Sequence, residues 1–210
     1  MPVSDSHNFV FIHIPKTAGT SIERCFIENN LINTGKKCLQ GRIDSNELKT
    51  SKYSNAFWHH LNCSEVKKII GQNNWSNYFK FTIVRNPWDR AVSFYSYMKE
   101  NTKNPNSLSF GKSYPETFDN WVRQLNLPSD QQSKIVDNNG ELMVDFVGRF
   151  ENLGKDFQLI LSKIKASQLK LKHFKKTNRQ NYHQYYKSDE IVQIIADKYK
   201  KDIDLFEYEF

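Results

Sequence analysis

A chain of 210 residues, 38% hydrophobic and 25% charged, describes a soluble globular protein with apolar material for one well-buried domain, expected over residues 1–210, and excludes wholesale disorder. The formal charge of +7 implies attraction to anions without choosing among nucleic acid, acidic polysaccharide and nucleotide. Three cysteines (Cys25, Cys38, Cys63) with no C-x-x-C pair argue against a disulfide framework or a structural zinc, and with no basic-then-apolar leader and no membrane-length apolar run the expected location is cytoplasmic.

Residues 1–7 are polar and read as a frayed end. Phe9-Val10-Phe11-Ile12-His13-Ile14 has strand character and runs into Pro15-Lys16-Thr17-Ala18-Gly19-Thr20-Ser21, after which Ala18, Ile22, Cys25 and Phe26 recur at helical spacing. A turn that ends a buried strand and opens a helix gathers backbone N–H groups at one spot, and the helix dipole adds partial positive charge there. Lys16 adds a full charge, Gly19 lets a ligand approach the backbone closely, and Thr17, Thr20 and Ser21 offer hydroxyls. The arrangement suits a phosphate-like group, although the order of lysine and glycine departs from the nucleotide loop G-x-x-x-x-G-K-[ST].

Residues 33–55 read as a long polar connection, 55–59 as a short strand leading to His59 and His60, and 64–70 as a helix stopped by Gly71. Phe79 to Val84 is a second strand, broken at Arg85-Asn86-Pro87. A helix then runs from Trp88 or Asp89 to Glu100, burying Ala91, Phe94, Tyr95 and Met98 and leaving Asp89, Ser93 and Ser96 on a polar stripe. Pro115 suits the first turn of a helix with the stripe Phe118, Trp121, Val122 and Leu125. Ser129 with Gln132 has capping-box spacing, while Asn139-Gly140 is the stronger signal and predicts a hairpin. Val144 to Phe150 reads as a buried strand, followed by a helix through Phe157, Ile160, Leu161 and Ile164. A lysine-rich segment leads to a last helix with Asp189 and Glu190 early and Lys198, Lys200 and Lys201 late, and the ending Phe206 to Phe210 needs burial to be ordered. Strands at 9–14, 55–59, 79–84 and 144–149 separated by helices predict an α/β fold with a mainly parallel central sheet flanked by helices. Ligands in such sheets sit beyond the carboxyl ends of the strands.

Arg85 ends a strand and Ser93 lies eight residues on, so a guanidinium fork and a hydroxyl could together grip a phosphate; Asp89 and Glu151 are the ion-pair partners the sequence otherwise offers Arg85. P-K-T-A-G-T-S resembles the 5′-phosphosulfate loop of the sulfotransferases, which draw on 3′-phosphoadenosine 5′-phosphosulfate (PAPS), and R-N-P-W-D-R-A-V-S resembles their 3′-phosphate motif. H-L-N-C-S-E-V (His60 to Val66), Y-F-K-F-T-I-V-R-N-P-W-D-R-A-V-S (Tyr78 to Ser93), V-G-R-F-E-N-L (Val147 to Leu153) and the terminal D-I-D-L-F-E-Y-E-F look like the blocks of the carbohydrate sulfotransferase group, in that group's order. The resemblance implies a P-loop-NTPase-like sulfotransferase fold. It assigns Lys16, Thr17, Ala18, Gly19, Thr20 and Ser21 to the phosphosulfate, Arg85 and Ser93 to the 3′-phosphate, and the general base to His60, with the adjacent His59 as the competing imidazole. Arg179, with Thr177, could close over the 3′-phosphate from a late loop. Lys16 would also neutralise charge growing on the leaving phosphate, no metal is needed, and the products are a sulfate ester and adenosine 3′,5′-bisphosphate (PAP).

Trp88 suits a core role better than adenine stacking; Asp89 and Arg90 read as a helix-start acid and a surface or paired base; and the lysines from 163 to 187 read as a solvated face. A phosphate-loop kinase would need Mg²⁺, a Gly-Lys-Ser/Thr loop and a dedicated acidic ligand, of which only Asp89 is on offer. A nucleic-acid-binding role ranks last, since the aromatics fall at core-like positions. The expected acceptor is a hydroxyl on a glycan or glycolipid.

Overall fold

The computed structural model describes residues 3–32, 60–105, 107, 110–125, 127–171 and 179–210. The expected strand at 55–59, His59 and Thr177 lie outside the described residues. The chain divides into two compact units, Met1–Val84 with Ser133–Phe174 and Arg85–Gln132 with Lys175–Phe210.

In the first unit, β2 (Phe9–Ile12) is apolar on both faces and every residue of it is fully buried, as a central parallel strand requires. It pairs in parallel with β3 (Phe79–Val84), which pairs in parallel with β4 (Phe146–Arg149). The end expected to fray instead forms β1 (Val3–Ser4), antiparallel to β2, giving the order β1-β2-β3-β4. The fold is thus α/β with a mainly parallel sheet, four-stranded among the described residues. The β4 residues, expected to be buried, are mostly half-buried, since β4 is the outermost strand of the sheet among the described residues. Only Gly148 is fully enclosed: a Cβ there would stand 2.7 Å from Ile83 Cδ1 and 3.2 Å from Asp156 Cβ.

Helix α1 (Gly19–Glu28) ends in a reversal with Asn30 in the left-handed region and Leu31 N–H donating to the Phe26 carbonyl at 2.9 Å. Its Ile22, Cys25 and Phe26 join Phe9, Phe11, Phe81 and Ile83 in the core, closed by Phe157, Ile160 and Leu161 of α5 (Leu153–Lys163). Helix α2 (Cys63–Asn77) opens with a capping box between Asn62 and Glu65. Gly71 marks a kink at φ 83° rather than the expected stop, and helix resumes beyond it to Asn77. The Asn139-Gly140 turn is present, but the hairpin shrinks to a single bridge, Val136 with Leu142, because Asp137 Oδ1 draws in the N–H groups of Asn139 and Glu141.

The second unit is helical. Asn86 caps α3 (Pro87–Asn101), accepting from the N–H of Trp88 at 3.0 Å, and Pro87 sits in the first turn where its missing N–H costs nothing. Trp88 is buried and donates to the Val192 carbonyl, a core role as expected. Ser93 and Arg90 are both buried, at 4% and 1% exposure, since α3 is enclosed on more faces than one apolar stripe suggests; of the two readings of Arg90, surface or paired, burial excludes the first. The next helix, α4 (Phe118–Arg123), is capped by Thr117, so Pro115 lies outside it and Leu125 is 64% exposed past its end. Ser129 and Gln132 cap no α-helix; Gln132 begins a 3-10 turn. The last helix is two, α6 (Asp189–Lys198) and α7 (Lys200–Phe206), parted at Tyr199, and the tail is held by buried Phe206 and Tyr208. No helix among the described residues is long and apolar enough to cross a membrane.

Candidate functional site

In the first unit, the chain leaves β2 and turns through Lys16 and Ala18, both left-handed at φ 70°, before α1 begins at Gly19. Non-glycine residues are held there only when their surroundings dictate it. Part of that constraint is the Thr17 hydroxyl, which donates to the Ile14 carbonyl at 2.9 Å with the side chain fully buried. Thr17 therefore does not offer its hydroxyl to a ligand, a correction to its expected role. Ser21 is buried and its N–H is committed to the Ala18 carbonyl at 2.9 Å. Among the described residues no side chain caps α1 and no acidic residue lies in its first turn, so the positive end of the helix dipole is not offset from within the helix. Lys16 and Thr20 are half-buried at this end, beside Ala18 and buried Gly19.

His60 follows at the start of the segment entering α2, in the left-handed region at φ 69°. Its Nδ1 donates to the backbone carbonyl of His13 at 2.9 Å. That bond keeps the proton on Nδ1 and makes Nε2 the basic nitrogen of the neutral ring. The His60 ring stands edge-on to the His13 ring, with centroids 4.5 Å apart at 77°. His13 Nδ1 in turn lies 2.8 Å from Glu23 Oε1, and both residues are buried, at 6% and 3% exposure. Gly19 is the only residue type that fits between: a Cβ there would come within 2.0 Å of His13 Cδ2 and Nε2.

In the second unit, Asp89 joins two of the expected phosphate-binding residues. Arg85 donates through Nε at 2.8 Å and Nη2 at 2.7 Å to Asp89 Oδ2, while Arg179 Nη2 meets Oδ1 at 2.5 Å. The ion pair with Asp89 that the sequence allowed for Arg85 is therefore formed. The Arg85 backbone is fixed as well, by reciprocal bonds with the Gln131 side chain at 2.9 and 2.8 Å. Ser93 lies one turn beyond Asp89 on α3, and Arg90 points elsewhere, donating to the Ser129 carbonyl at 2.9 Å.

Sequence reasoning passed over His13 and Glu23 as site residues and did not foresee Asp89 as a bridge to Arg179. A signal for the first pair was present: a histidine in an otherwise apolar strand, and a glutamate between Ile22 and Cys25 on the helix face that packs inward. Buried ionisable groups of this kind are rarely found unpaired.

A parallel strand, a lysine-bearing turn and an uncapped helix define an anion-binding α/β protein. A family model described as the sulfotransferase family matches residues 1–209, and the chain belongs to that family. An uncharacterized protein of Archaeoglobus fulgidus is 35% identical over 100 residues, which is 47% of this chain and 78% of that one. A crystal structure of mouse sulfotransferase SULT7A1 complexed with PAP is similar with a TM-score of 0.41 and 19% identity, over 91% of this chain; the chain spans 64% of that structure's length.

Proposed function

We propose that the chain is a PAPS-dependent sulfotransferase whose two units act as one catalytic domain over residues 1–210, working in the cytoplasm. The observation that carries the reading is the junction of β2 and α1, where left-handed Lys16 and Ala18 lead into a helix end with neither a capping side chain nor an acid. Membership of the sulfotransferase family over residues 1–209 supports the choice of a phosphosulfate as the anion. Lys16, the backbone of Thr17, Ala18 and Gly19, and Thr20 and Ser21 hold the 5′-phosphosulfate, while Arg85, Ser93 and Arg179 hold the 3′-phosphate.

His60 Nε2 takes the proton of an acceptor hydroxyl as its oxygen bonds to sulfur in line with the departing phosphate oxygen. The S–O bond to the nucleotide breaks, PAP leaves, and Lys16 balances the charge that grows on its 5′-phosphate. The acceptor is a hydroxyl of a glycan or glycolipid, a reading supported by the order of the blocks from His60 to Phe210. Calorimetry with PAP against AMP tests the donor site. One charge-assisted hydrogen bond to the 3′-phosphate is worth about 1.5–3 kcal/mol, so PAP should bind at least about tenfold more tightly, and equal affinity overturns the reading. Transfer of labelled sulfate to a panel of glycans then tests the acceptor.

A further inference from the structure

The first unit contains a buried ionisable pair that the sulfuryl-transfer steps above do not use. His13 closes the end of β2, Glu23 sits on the inward face of α1, and their side chains meet at 2.8 Å across the turn that carries Lys16. Burying a carboxylate and an imidazole is expensive, and a solvated surface position would avoid the cost. What the pair touches indicates its use. The His13 ring is nearly parallel to Phe11, with centroids 5.7 Å apart at 12°, and it lies against Gly19 so closely that no larger residue fits. With Nδ1 held by Glu23, the ring is fixed on three sides. It also meets the ring of His60, whose Nδ1 is bonded to the carbonyl of this same residue.

We infer that Glu23 and His13 are positioning residues for His60: the carboxylate pins the His13 ring, and His13 presents both a carbonyl and a ring that hold His60 as its Nδ1–H tautomer with Nε2 basic. The inference rests on the sulfotransferase reading for the use made of Nε2, but the arrangement itself is testable without any acceptor. A base that loses its proton from the wrong nitrogen cannot accept one at the right place, so tautomer control is a catalytic requirement and not only a packing detail.

The experiment is long-range ¹⁵N–¹H correlation spectroscopy of the histidine rings in the full chain, with PAP affinity measured alongside. In the parent protein the neutral His60 should show the Nδ1–H pattern. Glu23→Ala, which releases the His13 ring, should shift the His60 tautomer ratio toward Nε2–H by about fivefold, the size of one net hydrogen bond. Glu23→Gln keeps an acceptor for His13 Nδ1 and should restore the parent pattern. Should Glu23→Ala fail to fold, His13→Leu/Glu23→Leu replaces the pair with apolar groups of similar volume, a change that buried pairs commonly tolerate, and should show the same shift. An unchanged tautomer ratio in the folded variants, or an Nε2–H pattern in the parent, overturns the inference. Loss of PAP preference over AMP in the parent would instead overturn the donor reading and leave the tautomer result standing.

Discussion

Gly19→Ala is a substitution whose sign the structure reverses. At the start of an exposed helix, alanine would ordinarily be favoured over glycine by about 0.5–1 kcal/mol through backbone entropy and helix propensity. Here the new Cβ would fall 2.0 Å from His13 Cδ2 and Nε2 and 2.7 Å from Cε1. The ring cannot swing aside at little cost, because Glu23 holds its Nδ1, Phe11 lies along its face and His60 abuts it. Overpacking costs about 1–3 kcal/mol, and displacing the ring also forfeits a charge-assisted bond worth about 1.5–3 kcal/mol. The variant should therefore be destabilised by about 2–4 kcal/mol despite its better propensity, lowering the melting midpoint by about 5–15 °C for a chain of this size. Urea denaturation followed by circular dichroism measures it, and the informative comparison is the same substitution in a His13→Ala background. With the ring gone, alanine at this position should be neutral or favourable, so the two substitutions are strongly coupled. Equal cost in both backgrounds, or a Gly19→Ala protein as stable as its parent, refutes the reasoning.

Asp89→Ala removes the carboxylate that Arg85 and Arg179 share, and taking one member from so buried an ionic group should cost about 3–5 kcal/mol of stability, read from denaturant midpoints; a loss below about 1 kcal/mol would show that the bridge contributes little. Burial pushes the Cys63 thiol up to about 12, so in a Cys38→Ser protein neither it nor buried Cys25 should be alkylated at pH 8 until denaturant is added, as mass spectrometry would report. Burial also raises the Asp202 carboxyl above its ordinary value of 3.8, outweighing the N–H groups of Gln131 and Gln132 that stabilise its charge. Between that value and the raised one the folded state binds more protons than the unfolded, so this group's contribution to stability is greatest in acid and declines as pH rises. Asp202→Asn should flatten that part of the stability profile, and an unchanged slope would refute the assignment.

The parts of the fold legible in the sequence were those in which burial and punctuation agree. Phe9–Ile12 and Phe79–Val84 are apolar because central parallel strands are covered on both faces, and Asn86-Pro87 marks the opening of α3 by capping chemistry that needs no tertiary context. Val3–Ser4 could not be read, since a strand of two residues exists only through its pairing with Val10 and Phe9. Leu125 continued an apolar spacing beyond Arg123, but spacing does not record where a helix stops, and the residue is exposed. The same division runs through the candidate site. Lys16 to Ser21, His60 and Arg85 are nameable by motif, whereas the contacts of His13 with Glu23 and of Asp89 with Arg179 link positions 10 and 90 residues apart. Thr17 shows the limit of residue type alone: a hydroxyl placed correctly for a ligand is spent on the Ile14 carbonyl.

Arg85 and Arg90 stand in one block of sequence and are both buried, at 5% and 1% exposure, so neither position nor burial separates their roles; their partners do. Arg90 donates to the Ser129 carbonyl at 2.9 Å and lies 5.9 Å from the Tyr199 ring, and burial lowers the affinity of its guanidinium for the proton against the opposing charges of Asp202 and Asp130. Arg85 instead presents Nε and Nη2 to a carboxylate oxygen, with Arg179 on the other oxygen of the same group. A carboxylate and a phosphate ask the same planar fork of an arginine, and a backbone carbonyl does not. The Arg85 guanidinium is thus ordered and buried against Asp89, while that of Arg90 ties α3 to the Ser129 carbonyl. Partner chemistry, which no single-residue motif encodes, is thus what distinguishes the two arginines: Arg85 meets a carboxylate with its fork, and Arg90 donates to a backbone carbonyl.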